Sequence, residues 1–268
     1  MNVNELFLST SILHLFNESQ PIGSATGFFY SNKKGRYLVT NKHVIYGEDF
    51  QTEGAKPKIN KLKMTLHINT STKENTSTLD LTSNEEFTLE LFENGKKKWL
   101  EHKRKEIDIV CIPVNLNGTK FFTTTIPEES IDTQDINIGL EKIFILGYPY
   151  GWYDSKHNLP IARIGHLSSP FKVPFNGDLP IMIGDIETHP GMSGSPVFMH
   201  LQDYITFQGG TQNRNLGAWR LILVGIFSGQ HRWTLKDASG KEIDIPHSLS
   251  IIWFADAIRQ IVNQDFST

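Results

Sequence analysis

His189-Pro190-Gly191-Met192-Ser193-Gly194-Ser195-Pro196-Val197-Phe198 is a glycine-flanked turn with a serine at its centre, running into an apolar stretch of strand character. Glycine reaches positive-φ conformations that a Cβ makes costly, so Gly191 and Gly194 permit a tight turn on either side of Ser193. A hydroxyl held on such a turn, with main-chain N–H groups beside it, meets two needs of acyl transfer on one piece of backbone. It offers a nucleophile and donors for the oxyanion. The same letters also suit an ordinary Gly/Ser/Pro turn between strands, so the surrounding chain has to decide.

Working outward from the turn, short apolar runs separated by turn residues fill both flanks. Upstream lie Lys142–Gly147, Leu159–Leu167 and Pro180–Glu187, and downstream lies Leu221–Gly229. Further upstream come residues 11–16, Phe28–Tyr30, Arg36–Thr40, Leu62–Ile68, Phe87–Phe92 and Ile107–Val114. Gly23–Gly27 reads as a turn, Asn94-Gly95 as a hairpin signal, and Asn69 to Asn84 as an exposed Ser/Thr/Asn loop. Many short strands with regular turn signals predict an all-β barrel or sandwich. The polar connection 115–140 divides the chain into two halves, 1–120 and 121–268. Ile251, Phe254, Ala255, Ile258, Ile261 and Val262 keep a helical spacing, which predicts a C-terminal α-helix docked on the second half.

Composition bounds the function. The chain has 268 residues, 38% hydrophobic and 21% charged, with a formal net charge of −3. That is ordinary for a globular protein, and no global field recruits nucleic acid or an anionic membrane. The single cysteine, Cys111, sits in an apolar run and reads as a buried, inert thiol. No stretch approaches a membrane span, and the N-terminus lacks the basic and apolar regions of a signal peptide. With no disulfide available, the expectation is a cytoplasmic protein. The histidines show no metal-ligand spacing, so neither a metal nor another cofactor is expected.

Two further residues complete a constellation. His43 follows the apolar strand Arg36–Thr40, and Asp108 opens a buried run. Alone, His43 suits a structural role and Asp108 a strand cap. Together with Ser193 they supply a base to take the hydroxyl proton, and a carboxylate to hold that base in the right tautomer.

Thr40-Asn-Lys-His43-Val, Asp108-Ile-Val and Gly191-Met-Ser193-Gly194-Ser-Pro196 resemble the three signature blocks of chymotrypsin/trypsin-like serine peptidases. Val224–Gly229 is similar to the strand on which that family pairs with substrate backbone, and the likeness covers residues 10 to 263. Gly147–Gly151 and Arg163–Pro170 look like bacterial stand-alone and high-temperature-requirement-type members more than digestive ones. The resemblance implies two six-stranded antiparallel β-barrels, one carrying His43 and Asp108, the other carrying Ser193 and the C-terminal helix. It implies His43 as general base, Asp108 as its orienter, Ser193 as nucleophile, and the N–H groups of Gly191 and Ser193 as oxyanion hole. Glu187, Phe227, Ser228 and Gln230 fall where substrate is bound, with Ser248 as a further pocket candidate. An acid at 187 either selects Lys or Arg in the substrate, or points away and is solvated or paired.

The expected function is therefore a serine endopeptidase acting on a protein or peptide through an acyl-enzyme. The alternative is a latent or non-catalytic protease-fold module that binds a peptide as an added strand. No Ile-Val-Gly-Gly-type N-terminus is present for zymogen cleavage. Either the site is formed constitutively, or another event, such as binding of an activating protein partner, orders the oxyanion loop.

Overall fold

The computed structural model describes residues 3–69, 81–131, 141–175, 177–208, 211–236 and 242–264, with main chain alone for 3–4, 203–208, 211–219, 231–236 and 242–247. A short helix α1 (Val3–Phe7) precedes β1 (Thr10–Asn17), β2 (Gln20–Asn32) and β3 (Gly35–Thr40), and α2 (Lys42–Tyr46) follows. Then come β4 (Lys61–Ile68), β5 (Asn84–Glu90), β6 (Phe92–Glu93), β7 (Lys96–Lys97), β8 (Leu100–Glu101), β9 (Val110–Pro113), β10 (Phe121–Phe122) and β11 (Ile126–Pro127). The second half holds β12 (Lys142–Gly147), β13 (Ile161–Leu167), β14 (Ile181–Asp185), β15 (Pro196–Gln208), β16 (Thr211–Lys236), β17 (Glu242–Phe254) and helix α3 (Asp256–Asn263).

Period-two patterning sets the first sheet. In β4, Leu62, Met64 and Leu66 are buried while Lys61, Lys63 and Thr65 between them are only partly covered. That alternation is what a strand with one face on a core requires. The sheet runs β10-β4-β1-β2-β3-β9-β8, with β5 beside β4 and β11 parallel to β2. It encloses a core that includes Leu13, Leu38, Ile45, Leu62, Val110 and Ile112. Asn94 (φ 51°) and Gly95 (φ 74°) turn β6 into β7, as the Asn-Gly pair predicts.

The second half closes into a barrel, β12-β13-β14-β17-β16-β15, around Ile143, Ile145, Val197, Met199, Ile222 and Ile252. A third cluster joins the halves: Phe28, Val39 and Ile109 from the first sheet meet Phe198, Ile226 and Trp253 from the barrel.

Several expectations change. The chain pairs Ile251–Phe254 as strand, with Ile183 opposite Ile251 and Met182 opposite Ile252, so the helix begins only at Asp256. A strand paired on both edges and buried among apolar neighbours gives an unbroken apolar run, which helical spacing cannot tell from a buried helix. The helix packs where the halves meet and not on the second alone: Ile258 and Ile261 share a cluster with Ile107, Ile109 and Cys111 of the first sheet and with Leu223 and Ile226 of the barrel. Arg259 adds bonds to the carbonyls of Glu128 and Ile131, just after β11, at 3.2 and 3.0 Å. Gly23–Gly27 lies within β2 and is no turn. Strands β10 and β11 carry the first sheet past residue 120. Most of the expected loop 69–84 lies outside the described residues.

Candidate active site

The serine turn is built from its hydrogen bonds. Gly191 and Gly194 have φ of 92° and 88°. A Cβ on Gly191 would come within 2.5 Å of the Tyr148 carbonyl, and one on Gly194 would collide with the Thr26 carbonyl and the Thr40 hydroxyl. The N–H groups of Met192, Gly194 and Ser195 are taken by the carbonyls of His189, Phe227 and Met192 at 3.2, 2.9 and 3.0 Å. Pro190 offers its carbonyl to Tyr150 N–H at 2.6 Å, away from the cleft. Because the peptide is planar and trans, the Gly191 N–H must then point the opposite way. Among the described residues no acceptor takes the N–H of Gly191 or of Ser193. Two donors are thus left at the wall of a cleft of about 900 Å³ that both residues line.

Thr26 clamps this turn from the first sheet. Its N–H donates to the Ser193 carbonyl at 2.9 Å, and its hydroxyl donates to the Gly191 carbonyl at 2.8 Å. Thr40 in turn donates to the Thr26 carbonyl at 2.8 Å. Sequence reasoning missed Thr26, because a Gly-Ser-Ala-Thr-Gly stretch looks like a turn and a long-range clamp leaves no local pattern.

His43 stands on α2, not on the strand end itself, and faces Asp108 two residues before β9. Asp108 is 2% exposed. It accepts from the His43 main chain at 2.8 Å, from His43 Nδ1 at 2.6 Å and from the Ser228 hydroxyl at 2.5 Å. Three donors offset the cost of taking a carboxylate out of water. With Nδ1 facing the carboxylate, the neutral ring carries its proton there and keeps its Nε2 lone pair. Burial by itself would lower the His43 pKa. The Asp108 hydrogen bond and charge, with Glu48 adding to them, outweigh that and leave it above the ordinary histidine value.

The helix bearing His43 has its own anchor. Lys42, nearly buried, pairs with Glu101 at 3.1 Å. Glu101 also accepts from Tyr46 and Trp99 at 2.7 Å each and from Lys97 at 3.0 Å. Burial would raise the Glu101 pKa, but its hydrogen bonds from Tyr46, Lys97 and Lys42 hold it at about 2.

His43, Asp108, Gly191, Ser193, Phe227, Ser228 and Gln230 all line one cleft. The Ser193 hydroxyl donates to the Ser228 carbonyl at 3.1 Å, and among the described residues no hydrogen bond joins it to His43. Phe227 also belongs to the second barrel's core. Glu187 stands apart. Its carboxylate is 63% exposed, pairs with Arg163 at 2.5 Å and His189 at 3.6 Å, and does not line the cleft. Ser248 is exposed on β17 and is absent from the cleft wall. Cys111 is buried, and burial pushes its thiol pKa far up. Among the described residues, no three His, Cys, Asp or Glu gather into a metal-holding group.

The profile of the trypsin-like peptidase domain matches residues 25–203. Among solved structures, the chain is similar to the serine endoprotease from Yersinia pestis, with 13% identity and a TM-score of 0.46. That likeness covers 98% of this chain but only 65% of the endoprotease. It is also similar to the protease Anisep from Arthrobacter nicotinovorans, with 11% identity, a TM-score of 0.51, and 95% and 94% of the two chains covered. The latter likeness bears on the fold, and the closed barrel beside a second sheet is consistent with a chymotrypsin-like double barrel. Comparison with curated protein sequences returns no match. With its profile match extending over more than half the chain, across the His43, Asp108 and Ser193 segments, this protein belongs to the trypsin-like peptidase family.

Proposed function

We propose that the protein is a serine endopeptidase in which Ser193, His43 and Asp108 act as a triad. The observation that carries this reading is the pair of uncommitted N–H groups on Gly191 and Ser193, at the cleft wall that His43 and Asp108 also line. His43 Nε2 takes the Ser193 hydroxyl proton as Oγ bonds to the substrate carbonyl carbon. The carbonyl oxygen becomes an oxyanion received by the two N–H groups, an effect whose removal costs on the order of 10²–10³ in rate. Collapse breaks the C–N bond, and His43 passes the proton to the departing amine. Water, deprotonated by the same imidazole, then attacks the acyl carbon; the C–Oγ bond breaks and the imidazolium returns its proton to Ser193 Oγ. Asp108 keeps the ring oriented and stabilises the imidazolium. The Pro190–Tyr150 bond orients the Gly191 donor with no processed N-terminus involved, which supports a site assembled constitutively.

One observation favours a second reading, a latent module that awaits a partner: the Ser193 hydroxyl is bonded to Ser228 and not to His43. Labelling by a fluorophosphonate probe separates the two. Labelling lost in Ser193→Ala and in His43→Ala is the expected result. An unlabelled wild type would reject the constitutive enzyme.

A further inference from the structure

We infer that Gln230 spans the acyl-side pocket as a crossbar, restricting the residue before the cleaved bond to a short, uncharged side chain; this rests on the serine-peptidase reading. Two segments line the cleft together with Ser193, Thr188–Gly191 and Ser228–Gln230. A substrate carbonyl held over Ser193 by the Gly191 and Ser193 N–H groups must send its side chain between these segments. Gln230 Nε2 reaches across and donates to the Thr188 carbonyl at 2.8 Å.

The strand next to Gln230 adds a second buried bond to the Thr188 segment. Ser250 is fully buried and donates to the Ile186 carbonyl at 3.0 Å, so the Thr188 hydroxyl, itself 2% exposed, supplies the proton of their 3.2 Å contact. Neither wall segment offers a carboxylate. Glu187 is turned out to Arg163, and Glu48, the cleft's other acid besides Asp108, lies on the His43 side. His189, on the turn itself, also lines this cleft. A lysyl, arginyl or glutamyl side chain would therefore have to break the crossbar and bury its charge without a carboxylate or guanidinium to pair with. A methyl or hydroxymethyl group leaves the Gln230–Thr188 bond intact.

The test is a panel of peptidyl diphenyl phosphonates alike except for an alanine, serine, phenylalanine, lysine or glutamate analogue at the position facing the pocket. The rate of Ser193 modification is read by mass spectrometry, beside a generic fluorophosphonate. The alanine and serine analogues are expected to react at least tenfold faster than the other three. Gln230→Ala and Gln230→Ser should each raise the phenylalanine-to-alanine rate ratio at least tenfold. A wild type that labels with the fluorophosphonate but prefers lysine, phenylalanine or glutamate overturns the crossbar and leaves the peptidase reading standing. So does an unchanged ratio in both variants. A wild type that no phosphonate or fluorophosphonate modifies overturns both.

Discussion

Ser228 receives the Ser193 hydroxyl on its carbonyl at 3.1 Å and sends its own hydroxyl to Asp108 at 2.5 Å. One residue of β16 thus contacts both Ser193 and the buried carboxylate of Asp108. A hydrogen bond to a charged acceptor is worth about 1.5–3 kcal/mol. Ser228→Ala should therefore lower kcat by roughly 10–100-fold, since about 1.4 kcal/mol is tenfold, while the main-chain carbonyl stays. Pre-steady-state kinetics on a peptide ester would show the loss in acylation. An unchanged acylation rate would refute a supporting role for this hydroxyl.

The pH profile follows from His43. The ring works as a base only when neutral, so kcat/KM should rise with pH and half-saturate above the ordinary histidine value of 6.5. Asp108→Asn removes the charge that raises this pKa and should move the acid limb downward, with kcat falling about 10⁴-fold. The same interaction has a stability consequence of opposite sense. A raised folded-state pKa stabilises the fold below pH 6.5, and that contribution disappears as pH rises through the folded value. Thermal unfolding of His43→Ala and wild type across pH 5 to 9 would reveal it as a gap narrowing towards high pH.

Thr26 holds the Gly191–Ser193 turn through its hydroxyl, so under the proposed function Thr26→Val should uncouple activity from stability. Losing the bond to Gly191 frees the turn, and the fluorophosphonate rate is expected to fall by about 10²-fold, the scale of one oxyanion donor. Thr26→Ser keeps the hydroxyl and should restore the rate. Equal rates in the two variants would show that the main-chain bond from Thr26 to Ser193 suffices.

Glu101 is expected to matter for folding. Glu101→Gln leaves the nearly buried Lys42 ammonium without its charge partner, a loss of about 3 kcal/mol in denaturant unfolding. Its depressed pKa stabilises the fold above the ordinary value of 4.5, and this is lost as pH falls towards about 2. The variant's acid unfolding should accordingly be flatter between those limits.

The segments around His43, Asp108 and Ser193 were legible because each demands particular residue types in a local backbone context. The turn needs glycine at two positive-φ positions, and the apolar strands beside the other two announce themselves by pattern. Strand alternation in β4 and the Asn94-Gly95 hairpin were legible for the same reason, a periodicity of two and a turn with positive φ at both positions. Contacts between segments distant in sequence left no such trace. Nothing in the letters of Glu187 says that Arg163 will draw it out of the cleft, or that Gln230 will reach the Thr188 carbonyl. The helical face of Ile258 and Ile261 declared that it would be buried, but its place at the junction, against the first sheet as well as the barrel, followed from how two halves meet. Local backbone chemistry is written in neighbouring residues. Side-chain partners across a fold are chosen by packing and by the cost of burying polar groups unpaired, and those operate only once the chain has closed on itself.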